Sequence, residues 1–112
     1  MESLHRRVLT RRHYDLVKDL DVAHIVDQLI QDEIISIDDV DIIAAESTLR
    51  RKAQRLLRMI PSRGPKAYSS FLSALHTNFK HLEENLKTCE KEILDEWTEK
   101  GKMHHQQLKL TC

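Results

Sequence analysis

The side chains with chemistry to offer in this 112-residue sequence are its charges. Residues 47–66 hold Arg50, Arg51, Lys52, Arg55, Arg58, Arg63 and Lys66 and no acid, a net of +7. Arg51, Arg55 and Arg58 have the spacing that places side chains on one side of a helix. A guanidinium grips carboxylates or phosphates through a planar fork of donors, so such a face suits an acidic surface. Residues 19–46 are the complement: Asp19, Asp21, Asp27, Asp32, Glu33, Asp38, Asp39, Asp41 and Glu46, with no Lys or Arg, a net of −9. Residues 1–18 sum to +3 and residues 67–112 to −1, so the formal net charge is zero. The zero total argues against bulk attraction to polyanions, whereas separated blocks make opposed patches that steer encounters with complementary surfaces. The competing reading is that the blocks are solvated helix faces that pair with each other inside the fold.

Other chemistry finds little support. There is no Gly-rich phosphate loop, no His-Glu-x-x-His pair and no Cys-x-x-Cys, and neither Cys89 nor Cys112 stands in a Gln-Ala-Cys-x-Gly context. No catalytic, cofactor-binding or metal-ligating residue is therefore expected. Two late cysteines are no disulfide framework and suit a reducing, cytoplasmic setting. The seven histidines are scattered, His76 and His81 lying five apart and His104 and His105 near the end. No run of 18 apolar residues offers a membrane span, and MESLHRRVLTRR lacks the apolar core of a secretory signal. A 40% hydrophobic content with two Gly and two Pro points to a single folded domain rather than a disordered chain.

The elements that must position the charges are helical throughout. Leu4, Val8, Leu9, Leu16, Val17 and Leu20 read as one helix with a bend, or two abutting ones, between Leu9 and Leu16. Asp21 is placed to cap a second helix with a stripe of Val22, Ile25, Val26, Leu29 and Ile30. Ser36 and Asp39 form a capping-box pattern ahead of a third helix on Ile37, Val40, Ile43 and Ala44, with Ile42 off its stripe. Ser47 or Thr48 caps a fourth, whose Leu49, Ala53, Leu56, Leu57 and Ile60 face the core opposite Arg51, Arg55 and Arg58, and which Pro61 stops. Pro65 suits the first position of a fifth helix carrying Ala67, Phe71, Leu72 and Leu75. A sixth runs from near Asn78 through Phe79, Leu82, Leu86, Cys89, Ile93 and Trp97 to Gly101, with Cys89 a small core residue and Trp97 either an anchor of the helix end on the bundle or a docking residue for a neighbouring domain. Short connections make this an all-α, six-helix antiparallel bundle.

The segment RRKAQRLLRMIPSRGPKAYSSFLSAL (residues 50–75) resembles the fourth and fifth helices of caspase recruitment domains. The shared features are Leu56-Leu57, the Arg63-Gly64 turn, Tyr68 and Phe71-Leu72-Ser73-Ala74-Leu75. HIVDQLIQDEIISIDDVDII (residues 24–43) resembles the second and third helices of that family, and a bent first helix is also a family feature. The resemblance implies a death-fold recruitment domain over residues 1–88; the apolar seam extends the last helix over 89–101, and the patternless residues 102–112 read as a flexible tail or linker. The resemblance also implies homotypic binding in apoptotic signalling, to the recruitment domain of an initiator caspase, an adaptor or the apoptosome scaffold, with self-association into a helical oligomer. On that basis the basic site is Arg12, Arg51, Lys52, Arg55 and Arg58, and the acidic site Asp27, Asp32, Glu33, Asp38 and Asp41. The alternative is a nucleic-acid-binding helical domain using the basic helix 48–60. Against it stand the adjacent acidic block and the scarcity of aromatic residues for base stacking.

Overall fold

A computed structural model describes the backbone of residues 2–102 and the side chains of residues 2–98. Among them are seven α-helices and no strand: α1 (Ser3–Arg11), α2 (His13–Asp19), α3 (Val26–Gln31), α4 (Ile37–Ala44), α5 (Leu49–Met59), α6 (Ala67–Asn78) and α7 (Lys80–Lys102). The extra helix comes from the expected bend. Arg12 sits at φ −103° and ψ 16°, between α1 and α2. The hydrogen bonding nevertheless runs on, from Arg12 N–H to the Val8 carbonyl and from Leu16 N–H to the Arg12 carbonyl. Val8 and Leu9 before the bend and Leu16 and Val17 after it are all buried.

The second helix starts later than expected. Asp21 does cap, accepting from Ala23 N–H at 3.1 Å, but what it caps is a 3-10 turn, Val22–His24. Helix α3 follows without a side-chain cap. Its C-terminus closes with Glu33 N–H on the Ile30 carbonyl and Ile34 N–H on the Leu29 carbonyl. That pair of bonds is a Schellman closure, which demands a left-handed residue, and Glu33 supplies it at φ 61°. The closure turns Ile34 and Ile35 into the core.

Helix α4 begins with the expected capping box. Ser36 Oγ accepts from Asp39 N–H at 3.1 Å, and Asp39 Oδ2 accepts from Ser36 N–H at 2.9 Å. Thr48, rather than Ser47, caps α5 by accepting from Arg51 N–H. The expected core position Ala44, last residue of α4, is exposed. Two more are corrected at helix starts: Ile37 is 69% exposed and Leu49 59% exposed. Each is the first residue of its helix, directly after the cap. A helical side chain leans toward the N-terminus, so at that position it projects beyond the end of the helix instead of onto a neighbour.

Helix α5 ends at Met59, and Pro61 sits in a 3-10 turn, Ile60–Ser62. Gly64 has φ 98°, the conformation that favours glycine, and Pro65 falls two residues short of α6 rather than at its first position. In α7, Leu82, Leu86, Cys89 and Ile93 form the expected buried seam, while Trp97 is 38% exposed. Gly101 does not end α7, which runs on to Lys102. Residues 103–112, including His104, His105 and Cys112, lie outside the described residues.

Helix α1 packs on α7, α2 and α4 on α5, α3 on α6, and α6 on α7. One continuous core results, with Phe71, Leu16, Ile25, Leu29, Leu56 and Leu75 among its fully buried side chains. Burying a side chain of this kind contributes about 1.5–3 kcal/mol. The core therefore fixes the helix faces on which the charges are displayed.

Candidate interaction surfaces

The outer side of α5 carries a cleft of about 280 Å³, lined by Glu46, Arg51, Gln54, Arg55 and Arg58. Ala53, Leu56 and Leu57 bury the opposite side of the helix, so the arginines have nowhere to turn but outward. Arg55 is not free. Its Nε donates to Glu46 Oε2 at 3.1 Å, and its Nη2 lies 3.1 Å from the same oxygen in an ion pair. Arg51 and Arg58 form no ion pair among the described residues. Lys52 points elsewhere, to an apolar groove lined by Val22, Ala23, Val26, Val40, Ile43, Ala44 and Leu49, with Asp21 on the same rim.

The N-terminal arginines are engaged differently. Arg11 Nη1 donates to Glu96 Oε2 at 2.9 Å, and Arg12 Nη2 to Glu92 Oε1 at 3.1 Å. Arg6 Nη2 reaches the Pro61 carbonyl at 3.1 Å. These bonds tie the bent first helix to α7 and to the end of α5. The Arg11 guanidinium is held above its ordinary pKa, chiefly by its hydrogen bond to Glu96. Arg12 Nε is buried without a hydrogen-bond partner among the described residues.

The predicted acids divide in the same way. Asp27, Glu33, Asp38 and Asp41 are exposed and have no cationic partner among the described residues. Asp32 accepts from Ser70 Oγ at 2.7 Å and Gln28 Nε2 at 3.0 Å, and the Ser70 bond does most to hold its carboxyl below the usual range. Asp32 therefore also fastens α3 to α6.

Sequence spacing gave no sign of several partners that complete these surfaces. Asp39 is buried and bidentate with Arg63, at 3.0 and 3.1 Å, so the capping acid of α4 also anchors the turn before α6. Its carboxyl is held low, first by the Ser36 backbone N–H and also by Arg63, against the opposing effect of burial. Glu83 is buried beside His76 at 3.0 Å and Lys87 at 3.5 Å, and the His76 hydrogen bond is the main cause of its lowered pKa. His5 stacks on Tyr68 with ring centroids 3.9 Å apart and meets Glu90 at 3.2 Å. The Tyr68 hydroxyl is buried without a hydrogen-bond partner among the described residues, and burial pushes its pKa up. Glu46 was the most consequential omission. It belongs to the acidic block, nine residues before Arg55, a separation with no local signature.

Among the described residues no cluster of His, Cys, Asp or Glu could hold a metal ion. Among them, too, no helix is long and apolar enough to cross a membrane. Cys89 is a buried free thiol on the α7 seam.

Comparison with known proteins matches this arrangement to one family. Caspase-2 of Gallus gallus is 30% identical over 94 residues, covering 83% of this chain and 22% of that protein. Apoptotic protease-activating factor 1 is 30% identical in Homo sapiens and 29% in Mus musculus, over 83 residues in each case. Those matches cover 73% of this chain and 7% of each relative, so the chain spans about a fifth of caspase-2 and far less of the activating factor. The family model of the caspase recruitment domain matches residues 6–89, most of the chain. With its all-α bundle and bent first helix, the chain belongs to the caspase recruitment domain family.

Proposed function

We propose that this chain is a homotypic interaction module of apoptotic signalling, which gathers initiator caspases in the cytoplasm through charge-complementary contacts with other caspase recruitment domains. The observation that carries the reading is the uneven pairing of charges. Arg51 and Arg58 on α5, and Asp27, Glu33, Asp38 and Asp41 on and around α3 and α4, are left without opposite charges of their own among the described residues. Of the other charges, Arg55 shares the cleft but is paired with Glu46, Lys52 borders the neighbouring apolar groove, Arg12 is paired with Glu92 on α7, and Asp32 is bonded to Ser70. The folded unit includes Ile93, whose side chain is buried, and the Glu96 contact with Arg11.

One domain that displays both surfaces binds head to tail. Such heterologous contacts close into a ring only if the rotation allows it, and otherwise continue as a helical oligomer. A single exposed ion pair contributes at most about 1 kcal/mol, so recognition needs several acting together. It fades with salt, because the Debye length is about 8 Å at physiological ionic strength. The comparisons give no support to nucleic-acid binding by helix 48–60, and Glu46 already neutralises one of its arginines.

The test is capture of purified recruitment domains by the wild-type chain and by R51E/R58E. Glu at position 51 falls three residues after the Thr48 cap, where it completes a capping box, so α5 is expected to persist. Loss of capture with unchanged helical content is the expected result. Undiminished capture overturns the electrostatic reading.

A further inference from the structure

The basic cleft of α5 contains one carboxylate that belongs to the chain itself. Glu46 lies in the connection between α4 and α5, where its N–H bonds to the Ile43 carbonyl at 3.1 Å. Its side chain is only 22% exposed, and a single oxygen, Oε2, takes both Nε and Nη2 of Arg55. The other oxygen, Oε1, makes no hydrogen bond among the described residues. Arg51, Gln54 and Arg58 line the same cleft, Gln54 lying between the two arginines along α5.

We propose that Glu46 is a specificity-determining residue of this surface: it occupies Arg55 from within, leaving Arg51 and Arg58 to select the incoming acidic partner. The inference rests on the reading of α5 as a partner-binding face and refines it. Glu46 provides the carboxylate that a partner would otherwise bring to Arg55. It lowers the cleft from three uncompensated positive charges to two. A partner acid aimed at Arg55 meets the Glu46 carboxylate and is repelled, so the cleft discriminates by repulsion as well as by attraction. Arg51 and Arg58 are seven residues apart, about 10 Å along a helix axis. The favoured partner surface therefore presents two carboxylates at about that separation, flanking a neutral position.

Glu46 acts through Arg55, so its test needs readouts that a merely structural brace would not move. The wild-type chain, E46Q, R55Q, R51Q and the double variants are titrated against three purified probes. These are a second copy of the chain, the matching segment of human apoptotic protease-activating factor 1, and the matching segment of Gallus gallus caspase-2. E46Q is expected to bind about two- to five-fold more tightly, the equivalent of releasing one exposed ion pair. Its affinity also falls more steeply with salt. R55Q, which leaves the Glu46 carboxylate uncompensated but removes no partner contact, weakens binding less than R51Q in the wild-type background and as much as R51Q in the E46Q background. Thermal melts establish that each variant is folded. Should E46Q prove neutral or weaker while R51E/R58E still abolishes capture, or should R55Q and R51Q be equally damaging in the wild type, the role of Glu46 is refuted. Capture that is indifferent to R51E/R58E, or absent with all three probes, refutes the underlying reading instead.

Discussion

The arginines of the first helix and those of α5 are the same side chain at similar density, and they meet opposite fates. Arg11 and Arg12 face α7, whose Glu96 and Glu92 stand opposite, so their charge is spent on holding the bent helix in place. Arg51 and Arg58 face solvent on a helix whose other side is buried, and the acid that lines their cleft among the described residues, Glu46, goes to Arg55. A run of like charge stays open to a partner only where the fold brings no counter-charge to it. The acids follow the same rule. Asp39 is locked between Ser36 and Arg63, while its neighbours Asp38 and Asp41 remain open.

This contrast implies a crossed pattern: paired charges govern stability and open charges govern binding. The largest effect is on the open side, where R51E/R58E is expected to reduce capture below detection without a fall in melting temperature. A variant that unfolds instead would erase the contrast. On the paired side, D39A removes the reciprocal cap and strands Arg63, and is expected to destabilise the domain by about 1–2 kcal/mol in urea titration. Capture per folded molecule should be retained.

Acid probes the same paired set. The carboxyls of Asp39 and Glu83 are held below their ordinary values in the folded chain, so the stability they contribute is complete above the unfolded carboxylate pKa of about 4. It is lost as pH falls through the depressed folded values. Melting temperature should vary little between pH 7 and about 5 on their account, and drop below about pH 4. A drop that survives in a D39N/E83Q variant would assign it to other groups.

Glu33 offers a finer division, because its backbone and its charge have separate roles. E33G relieves a left-handed conformation that disfavours a side chain and should raise stability by about 1 kcal/mol. The same change removes an open acid and should weaken capture. The smallest effect is expected for R12Q: less than about 1 kcal/mol of stability, since its ion pair with Glu92 is partly exposed, and little change in capture. A loss of capture with R12Q comparable to that of R51Q would return Arg12 to the centre of the binding face.

The parts of this fold that were legible in the sequence are those written in local spacing. The core stripe of α5, the capping box of α4, the bend near Arg12 and the seam through Ile93 each follow from residues within a few turns of one another. Ile37 and Leu49 misled because periodicity projects a stripe without registering that the helix has just begun there. The 3-10 turn at Val22 was hidden because its apolar residues continue the stripe of α3. The candidate surfaces were legible as blocks of charge, but not as individual free side chains. Which arginine is spent and which is open depends on contacts such as Arg12 with Glu92 and Asp39 with Arg63, separated by 80 and 24 residues. No local pattern encodes those separations.

Two complementary charge-altered variants test the central claim most directly. The R51E/R58E variant reverses the basic surface and keeps the acidic one, and a D27K/E33G/D38N/D41K variant removes the open acids and keeps the basic one. In sedimentation velocity at low salt, each alone should remain monomeric. An equimolar mixture should form a one-to-one complex that dissociates as salt is raised and grows no further. Self-association by either variant alone, or a mixture that sediments as two monomers, would contradict recognition through these two surfaces.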